Sequence, residues 1–454
     1  MSNSIPIKKD HSTNLSSLSK ERRFGTDGIR GPVDSTMNPL FVTKLGWAAG
    51  TVLLEEGITR VLIGKDTRIS GYMLESALQA GFISSGIDVI LLGPLPTPGV
   101  SFLANSNKQA GVVISASHNL FEDNGIKFFN KDGQKFTPEL ERRIEAKLSQ
   151  EIQSVKSINL GKATRMGDAQ GRYIEFCKSN FIDLDLSNLS ILLDCANGAT
   201  YSVAPKVFEE LGATVNTIGT DPDGININQN CGTTNPEYIK EEIKKGDYDL
   251  GISFDGDGDR ILLVSKTGKV LDGDDLLYIL SKDLSKGSGV VGTQMTNIAL
   301  QLFFQENDVE FSRADVGDKY VLQRLLEKNW LLGGEPSGHI ICLDAAQTGD
   351  AIIAALKLLD SLKANSFDVD TSIEGFTKFP QTLINLPVTS PNKIILNDKF
   401  WSEVAIIEGE LGEKGRVLIR PSGTEPLIRI MVESEIEKDS EDHCNRLADL
   451  ASKL

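Results

Sequence analysis

Two short stretches carry residue types that together could move a phosphoryl group. The first runs Gly111-Val112-Val113-Ile114-Ser115-Ala116-Ser117-His118-Asn119. Val112 to Ile114 reads as a buried strand that stops abruptly in small polar residues. Ser117 is thereby set on a loop at the carboxyl end of a strand, where open α/β sheets bind ligands. Asn124-Gly125 reads as a turn before a second apolar run. The second stretch is Asp255-Gly256-Asp257-Gly258-Asp259-Arg260, which follows the apolar run Leu250–Phe254. Carboxylates at i, i+2 and i+4 repel one another unless a cation joins them. Oxygen ligands alone select a hard ion such as Mg²⁺, which takes phosphate readily into its shell. An EF-hand is excluded, because the sixth and twelfth positions from Asp255 are Arg260 and Lys266 rather than glycine and glutamate. The two loops together suggest that Ser117 carries a phosphoryl group and exchanges it with a sugar.

Three further loops fit that chemistry. Gly25 to Gly31 surround Arg30 with glycines, which lets backbone approach a ligand closely. Gly334-Glu335-Pro336-Ser337-Gly338-His339 offers an acceptor, a hydroxyl and a titratable ring, and Glu335 suits a sugar's hydroxyls. Arg420-Pro421-Ser422-Gly423-Thr424 joins a guanidinium fork to hydroxyls and backbone N–H groups, the mixture that phosphate recognition needs, and Arg429 could add a second fork. Competing motifs fail. Gly287 to Gly292 matches G-x-G-x-x-G but precedes and enters a strand rather than following one. No P-loop occurs, and Ser117 lacks the G-x-S-x-G frame of a hydrolase. His118 is adjacent to Ser117, and neighbouring side chains rarely form a nucleophile–base pair; we expect it to position the loop or the phosphate.

The elements that must hold these loops alternate. A helix near 38–56 precedes strands at 61–64, 87–92 and 112–114, and a second helix near 71–85 lies between the first two strands. The same grammar recurs at 189–254 and at 290–332, and each unit ends its last strand in a glycine-flanked polar loop. Alternation of this kind implies mostly parallel sheets. The tail after Phe379-Pro380 reads strand, helix, two strands, helix. The expected fold is α/β: three similar α/β domains with mixed, mostly parallel sheets plus a smaller C-terminal α+β domain, around a central cleft. The expected division is a mobile tail at 1–20, then domains at 21–165 (serine loop), 166–262 (metal loop), 263–374 (sugar loop) and 375–454 (phosphate loop).

Composition agrees. A chain of 454 residues has room for about three domains. The net charge of −16 argues against nucleic-acid binding, which needs a basic face, yet leaves room for a local arginine cluster around an anion. The five scattered cysteines form no C-x-x-C pair, so neither a zinc site nor a disulfide framework is expected, and a reducing cytoplasm fits. No apolar run approaches the roughly 18 residues of a membrane span. Residues 1–20 are serine-rich and lack arginine, unlike a transit peptide.

Six motifs in order resemble the α-D-phosphohexomutase superfamily, from about residue 22 to the end. They are Phe24–Gly31, Gly64–Gly71, Ser115–Asn119, Asp255–Arg260, Gly334–His339 and Arg420–Thr424. The resemblance comes nearest the bacterial members that handle hexosamine phosphates. It implies phosphoserine at Ser117, and one Mg²⁺ per subunit on Asp255, Asp257 and Asp259 with Ser117. It implies sugar recognition by Glu335 and Ser337, and phosphate docking by Arg420, Ser422, Gly423, Thr424 and Arg429. Arg30, Lys127 and Arg260 would lie beside the reacting phosphoryl group, and His339 or Lys127 would handle the proton. It further implies glucose or glucosamine 1,6-bisphosphate as activator, and a homodimer. The rivals are a phosphomannomutase or phosphoglucomutase, a metal-dependent phosphatase and a non-catalytic sugar-phosphate sensor. The chain departs from the family at Leu120, Asn235, Lys319 and Pro336; Pro336 bears on sugar choice, since it lies between Glu335 and Ser337.

Overall fold

The computed structural model describes residues 23–285, 287–421 and 427–454. The tail expected over 1–20 and Ser422, Gly423 and Thr424 of the phosphate loop lie outside the described residues. Four sheets follow one another along the chain, with six, five, four and three strands. In the first, the strands Arg60–Lys65, Asp88–Pro94 and Ala110–Ile114 run parallel, and Asp123–Phe129 and Ile29–Pro32 are added antiparallel at one edge. The second keeps Ser190–Asp194 parallel to Leu250–Phe254 and turns back through Ile261–Ser265. The third does likewise with Gly289–Thr293, Leu332–Gly334 and Ile340–Cys342. The fourth, Gln381–Pro387, Gly415–Pro421 and Leu427–Ser434, is wholly antiparallel. So the architecture is three mixed, mostly parallel α/β sheets and a smaller α+β unit.

In each of the first three sheets the parallel strand that ends in a polar loop is wholly buried: Ala110–Ile114, Leu250–Phe254 and Leu332–Gly334. Burial on both faces explains why these strands read as continuous apolar runs rather than alternating ones. Each is followed by an antiparallel strand, so the polar loop becomes a hairpin tip fixed at both ends. One apolar cluster runs from Leu62 and Leu103 through Phe208 and Ile252 to Leu276 and Leu356, joining the first three sheets into a continuous core. The fourth unit packs a separate cluster around Phe400, Ile430 and Leu447.

Asn124-Gly125 is not a turn. Both residues lie inside the strand Asp123–Phe129. Asn124 Nδ2 donates to Ser70 Oγ at 2.8 Å, and a Cβ on Gly125 would sit 2.5 Å from the Ser115 carbonyl. The glycine there serves close approach to the serine loop, and the chain reverses earlier, between Asn119 and Glu122. The helix Thr97–Asn107, buried over most of its length, carried too little periodic contrast to be placed from sequence; the helix Asp318–Lys328 buries one stripe through Val321 and Leu325, a periodicity that the sequence reading passed over. Among the described residues no helix is long and apolar enough to cross a membrane.

Candidate active site

Ser117 sits at φ 54°, a left-handed conformation that costs an L-residue about 1–2 kcal/mol. Its neighbours over-determine it. Arg68, fully buried, donates Nη2 to the carbonyls of Ser117 (2.9 Å) and Asn119 (2.7 Å). Its Nη1 goes to the carbonyls of Leu120 and Asp123, and its Nε goes to Asp66 Oδ2 at 2.8 Å. Asn228, from the second sheet's unit, donates Nδ2 to the same Ser117 and Asn119 carbonyls at 2.9 Å each. Ser115 Oγ accepts from Ser117 N at 2.9 Å and donates to Asp66 Oδ2 at 2.6 Å. With its backbone fixed, Ser117 aims Oγ at Asp255 and donates to Oδ2 at 2.6 Å.

The acidic loop is built to leave oxygens free. Asp255 Oδ1 closes the turn by accepting from the N–H groups of Gly258, Asp259 and Arg260 at 3.0–3.2 Å. Asp257 Oδ2 accepts from Thr97 Oγ1 (2.6 Å) and Lys127 Nζ (2.7 Å), both from the first unit. Asp257 Oδ1 and Asp259 Oδ1 are buried with no hydrogen-bond partner. One ligand oxygen from each of the three carboxylates lies within 4.8 Å of the others. Buried, orphaned anionic oxygens converging in this way fit a hard divalent cation. Gly256 permits the approach, since a Cβ there would meet the Ser117 carbonyl at 2.5 Å.

Electrostatics confirm the crowding. Burial, followed by the charges of Asp259 and Asp257, pushes the Asp255 carboxyl well above its ordinary range. Burial also opposes charge on Asp259, but Lys127, His339 and Arg260 outweigh it and hold its pKa down. Lys127 is almost wholly buried; burial works to neutralise it, and Asp257, Asp27 and Asp259 keep it charged. Lys127 also lies 3.0 Å from Asp27 Oδ2, the carboxylate that pairs with Arg30.

The sugar loop locks onto the metal loop. Ile261 N donates to the Gly338 carbonyl at 3.0 Å, and Gly338 is at φ 88°, where a Cβ would strike the Ile261 carbonyl at 2.1 Å. His339 Nδ1 then lies 3.7 Å from Asp259 Oδ1, and Nε2 lies 3.8 Å from Asp318 Oδ2. Burial lowers the His339 pKa, but Asp259, Asp318 and Glu335 raise it to about 9. Glu335 Oε1 accepts from Gly317 N at 3.0 Å. Arg30, Asp259, Arg260, Glu335, Ser337 and His339 all line one cleft of about 1110 Å³. Within it the Nε atoms of Arg30 and Arg260 and Nε2 of His339 are buried without hydrogen-bond partners, which leaves them open to an anionic ligand.

The structure thus brings together Ser117, Arg30, Lys127, the three aspartates, Arg260, Glu335, Ser337 and His339. Arg420 and Arg429 stand apart on the fourth unit, opposite one another across two antiparallel strands, and neither lines the cleft. Burial and then Arg429 lower the Arg420 pKa. His118 lies against the serine. Its Nδ1 comes within 3.3 Å of Ser117 Oγ despite adjacency in sequence, because the left-handed turn at Ser117 folds the two side chains together. Burial, Arg260 and Arg30 depress its pKa to about 4, so the ring is neutral. Sequence reasoning gave no role to Asp27, Arg68, Thr97, Lys135, Asn228 or Asp318. Asp27 and Arg68 stood inside motifs already singled out, and a carboxylate or guanidinium beside glycines was a readable signal. Thr97 had only its flanking prolines.

Comparison with known proteins gives the same picture over the whole chain. Phosphoglucomutase/phosphomannomutase profiles match in order: alpha/beta/alpha domain I at 21–154, domain II at 171–268, domain III at 272–379 and the C-terminal domain at 383–450. A phosphoglucosamine mutase of Legionella pneumophila (strain Corby) is 51% identical over 448 residues, covering 96% of this chain and 98% of that protein. One from Aeromonas salmonicida is 52% identical over 432 residues, covering 94% and 97%. A crystal structure of a phosphoglucomutase/phosphomannomutase family protein from Burkholderia thailandensis superposes with a TM-score of 0.82 at 24% identity, covering 96% and 98% of the two chains. The N-acetylphosphoglucosamine mutase of Aspergillus fumigatus, solved with GlcNAc-6P and magnesium, gives 0.67 at 16% identity over 97% of each chain. These two structures speak to fold; the sequence matches decide kinship. The chain belongs to the phosphoglucomutase/phosphomannomutase family of the α-D-phosphohexomutase superfamily, on the side of the phosphoglucosamine mutases.

Proposed function

We propose that the chain interconverts glucosamine 6-phosphate and glucosamine 1-phosphate through a phosphoserine at Ser117 and a glucosamine 1,6-bisphosphate intermediate. The observation that carries the reading is the Ser117 alcohol, held at positive φ and donating at 2.6 Å to one member of a buried acidic triad. The names of the half-identical relatives supply the sugar. Asp255, Asp257 and Asp259 would hold Mg²⁺, which neutralises charge on a transferring phosphoryl group.

The chain's own groups do the rest. In the first half-reaction the bond from phosphorus to Ser117 Oγ breaks and one to the sugar's O1 forms; the O1 proton leaves. In the second, the O6–phosphorus bond breaks, Ser117 Oγ regains the group and O6 takes up the proton that O1 gave. Lys127, kept charged by three carboxylates, and Arg30 and Arg260, with unpaired donors in the cleft, meet the equatorial phosphoryl oxygens. Glu335 and Ser337 orient the ring, and His339 or Lys127 holds and passes the proton. Arg420 and Arg429, with Ser422, Gly423 and Thr424, bind whichever phosphate is not reacting, and that remote binding orients the reacting hydroxyl. The five cysteines, all free and buried, fit a cytoplasmic setting.

Intact-protein mass before and after incubation with a hexose 1,6-bisphosphate, followed by peptide mapping, tests the phosphoserine; a label on any residue other than Ser117 overturns it. Glucosamine, glucose and mannose 6-phosphates assayed side by side test the sugar. A preference for glucose or mannose is the second reading, favoured by one observation: Pro336 lines the cleft between Glu335 and Ser337. Steady release of inorganic phosphate would instead mark a phosphatase.

A further inference from the structure

Lys135 lies outside every motif singled out above. It follows the tight turn after the strand Asp123–Phe129 and bridges back to Phe129. Its ammonium, with 18% of the side chain exposed, pairs with Asp27 on one side and with Asp318 Oδ2 at 2.5 Å on the other, 183 residues along the chain. Each carboxylate is already committed to the cleft. Asp27 pairs with Arg30 and lies 3.0 Å from Lys127 Nζ. Asp318, at the first turn of the helix Asp318–Lys328, lies 3.8 Å from His339 Nε2. The preceding Gly317, at φ 131°, gives its N–H to Glu335 at 3.0 Å. One cation therefore stands where the phosphoryl-handling groups of the first unit meet the sugar-handling groups of the third. Burial works to discharge Lys135, and Asp318 and Asp27 together keep it charged. Lys135 does not line the cleft; it faces a separate cavity of about 440 Å³ behind Asp318.

We propose that Lys135 is a positioning residue, a strap that sets the distance between Arg30 and Lys127 on one side and Glu335 and His339 on the other. The proposal rests on the mutase reading for its kinetic consequence. Without Lys135, Asp27 would keep Arg30 and Lys127 and Asp318 would keep His339, but no group would tie the two carboxylates to each other across the seam. The remote phosphate is held by residues Lys135 does not reach, so the loss belongs in kcat rather than KM.

The test uses the full-length, Ser117-phosphorylated protein. Lys135→Met is expected to lower kcat by about tenfold to a hundredfold while KM stays within about threefold. Lys135→Arg, which can span the same two carboxylates, is expected to restore kcat to within about threefold of the parent. Asp318→Asn should reproduce the loss, and the double variant should lose no more than the worse single one. Backbone hydrogen exchange over residues 314–322 should quicken in Lys135→Met and not in Lys135→Arg. That last arm does not depend on turnover: if the parent fails to convert any hexosamine phosphate, the mutase reading falls while exchange still judges the strap. An unchanged kcat, a loss confined to KM, additive losses in the double variant, or unchanged exchange would each overturn it. Should Lys135→Met not fold, Asp318→Asn and Lys135→Arg carry the same comparison.

Discussion

The two ends of this molecule treat charge in opposite ways. At the serine end, charges are answered across unit boundaries. Lys127 of the first unit meets Asp257 and Asp259 of the second, Thr97 reaches Asp257, and His339 of the third lies beside Asp259. At the other end Arg420 and Arg429 are register partners on adjacent strands, like charges side by side. Such a pair costs about 0.2–1 kcal/mol in a sheet, and among the described residues neither has a carboxylate within ion-pair distance. One end is preorganised by its own opposite charges and short of a cation only at the triad. The other sets two guanidinium groups side by side, with no carboxylate of the described residues between them. Chemistry needs fixed positions, whereas holding either phosphate of a bisphosphate needs only attraction.

The sharpest way to break this contrast is at the serine. Ser117→Ala should reduce turnover by a factor on the order of 10⁴ while leaving the fold intact. The reason is that Arg68 and Asn228 grip the carbonyl of residue 117 rather than its hydroxyl. Turnover near that of the parent would remove the phosphoserine. Next in size is the triad. Asp257→Asn should cost about 10²–10³ in kcat. Mg²⁺ at a hundred times its Kd should stabilise the parent by about 2.7 kcal/mol, read as a rise in melting temperature, and this rise should shrink in the variant. A chelator that leaves parent turnover untouched would contradict both the metal and the asymmetry.

Sequence showed the loops better than the links between them. The serine, the triad and the sugar loop stood out because each follows a wholly buried, mostly apolar strand and is punctuated by glycine, a local pattern. Asn124-Gly125 misled because its local signature is a turn's, whereas its glycine is required by the Ser115 carbonyl 2.5 Å from where a Cβ would go. Thr97, Lys135 and Asn228 were invisible for the converse reason: their partners lie 160, 183 and 111 residues away, and nothing local marks them. The short approach of His118 Nδ1 to Ser117 Oγ comes with the positive φ at Ser117, which no sequence pattern announces.

At the remote end the expected effects are smaller and of another kind. Arg420→Ala removes one charge-assisted fork, about 1.5–3 kcal/mol, and so should raise KM by about tenfold to a hundredfold. kcat and the Mg²⁺-dependent rise in melting temperature should change little. A fall in kcat with KM unchanged would mean that the arginines belong to the chemistry and that the contrast between the ends is false.

The smallest effect lies in the joint that carries those arginines. Arg416 pairs with Glu433 at 2.5 Å, and Glu433 also accepts from Ile298 N at 3.1 Å, tying the last sheet to the helix Ile298–Glu306. Beside it Asp274 accepts from Asn297 N at 2.8 Å through Oδ2, while its Oδ1 is buried without a partner. Burial, and then Asp272, push the Asp274 pKa up to about 8. An unfolded aspartate titrates near 3.9. The folded chain therefore binds this proton more tightly, and the associated stability is whole below about pH 4 and is lost as pH rises towards about 8. Asp274→Asn keeps an acceptor for Asn297 and cannot ionise. It should flatten that decline, adding about 1–3 kcal/mol at pH 8 relative to the parent and little at pH 4. Denaturant midpoints at the two pH values measure it. Equal slopes in parent and variant would show that the joint, like the serine end, already answers its charges.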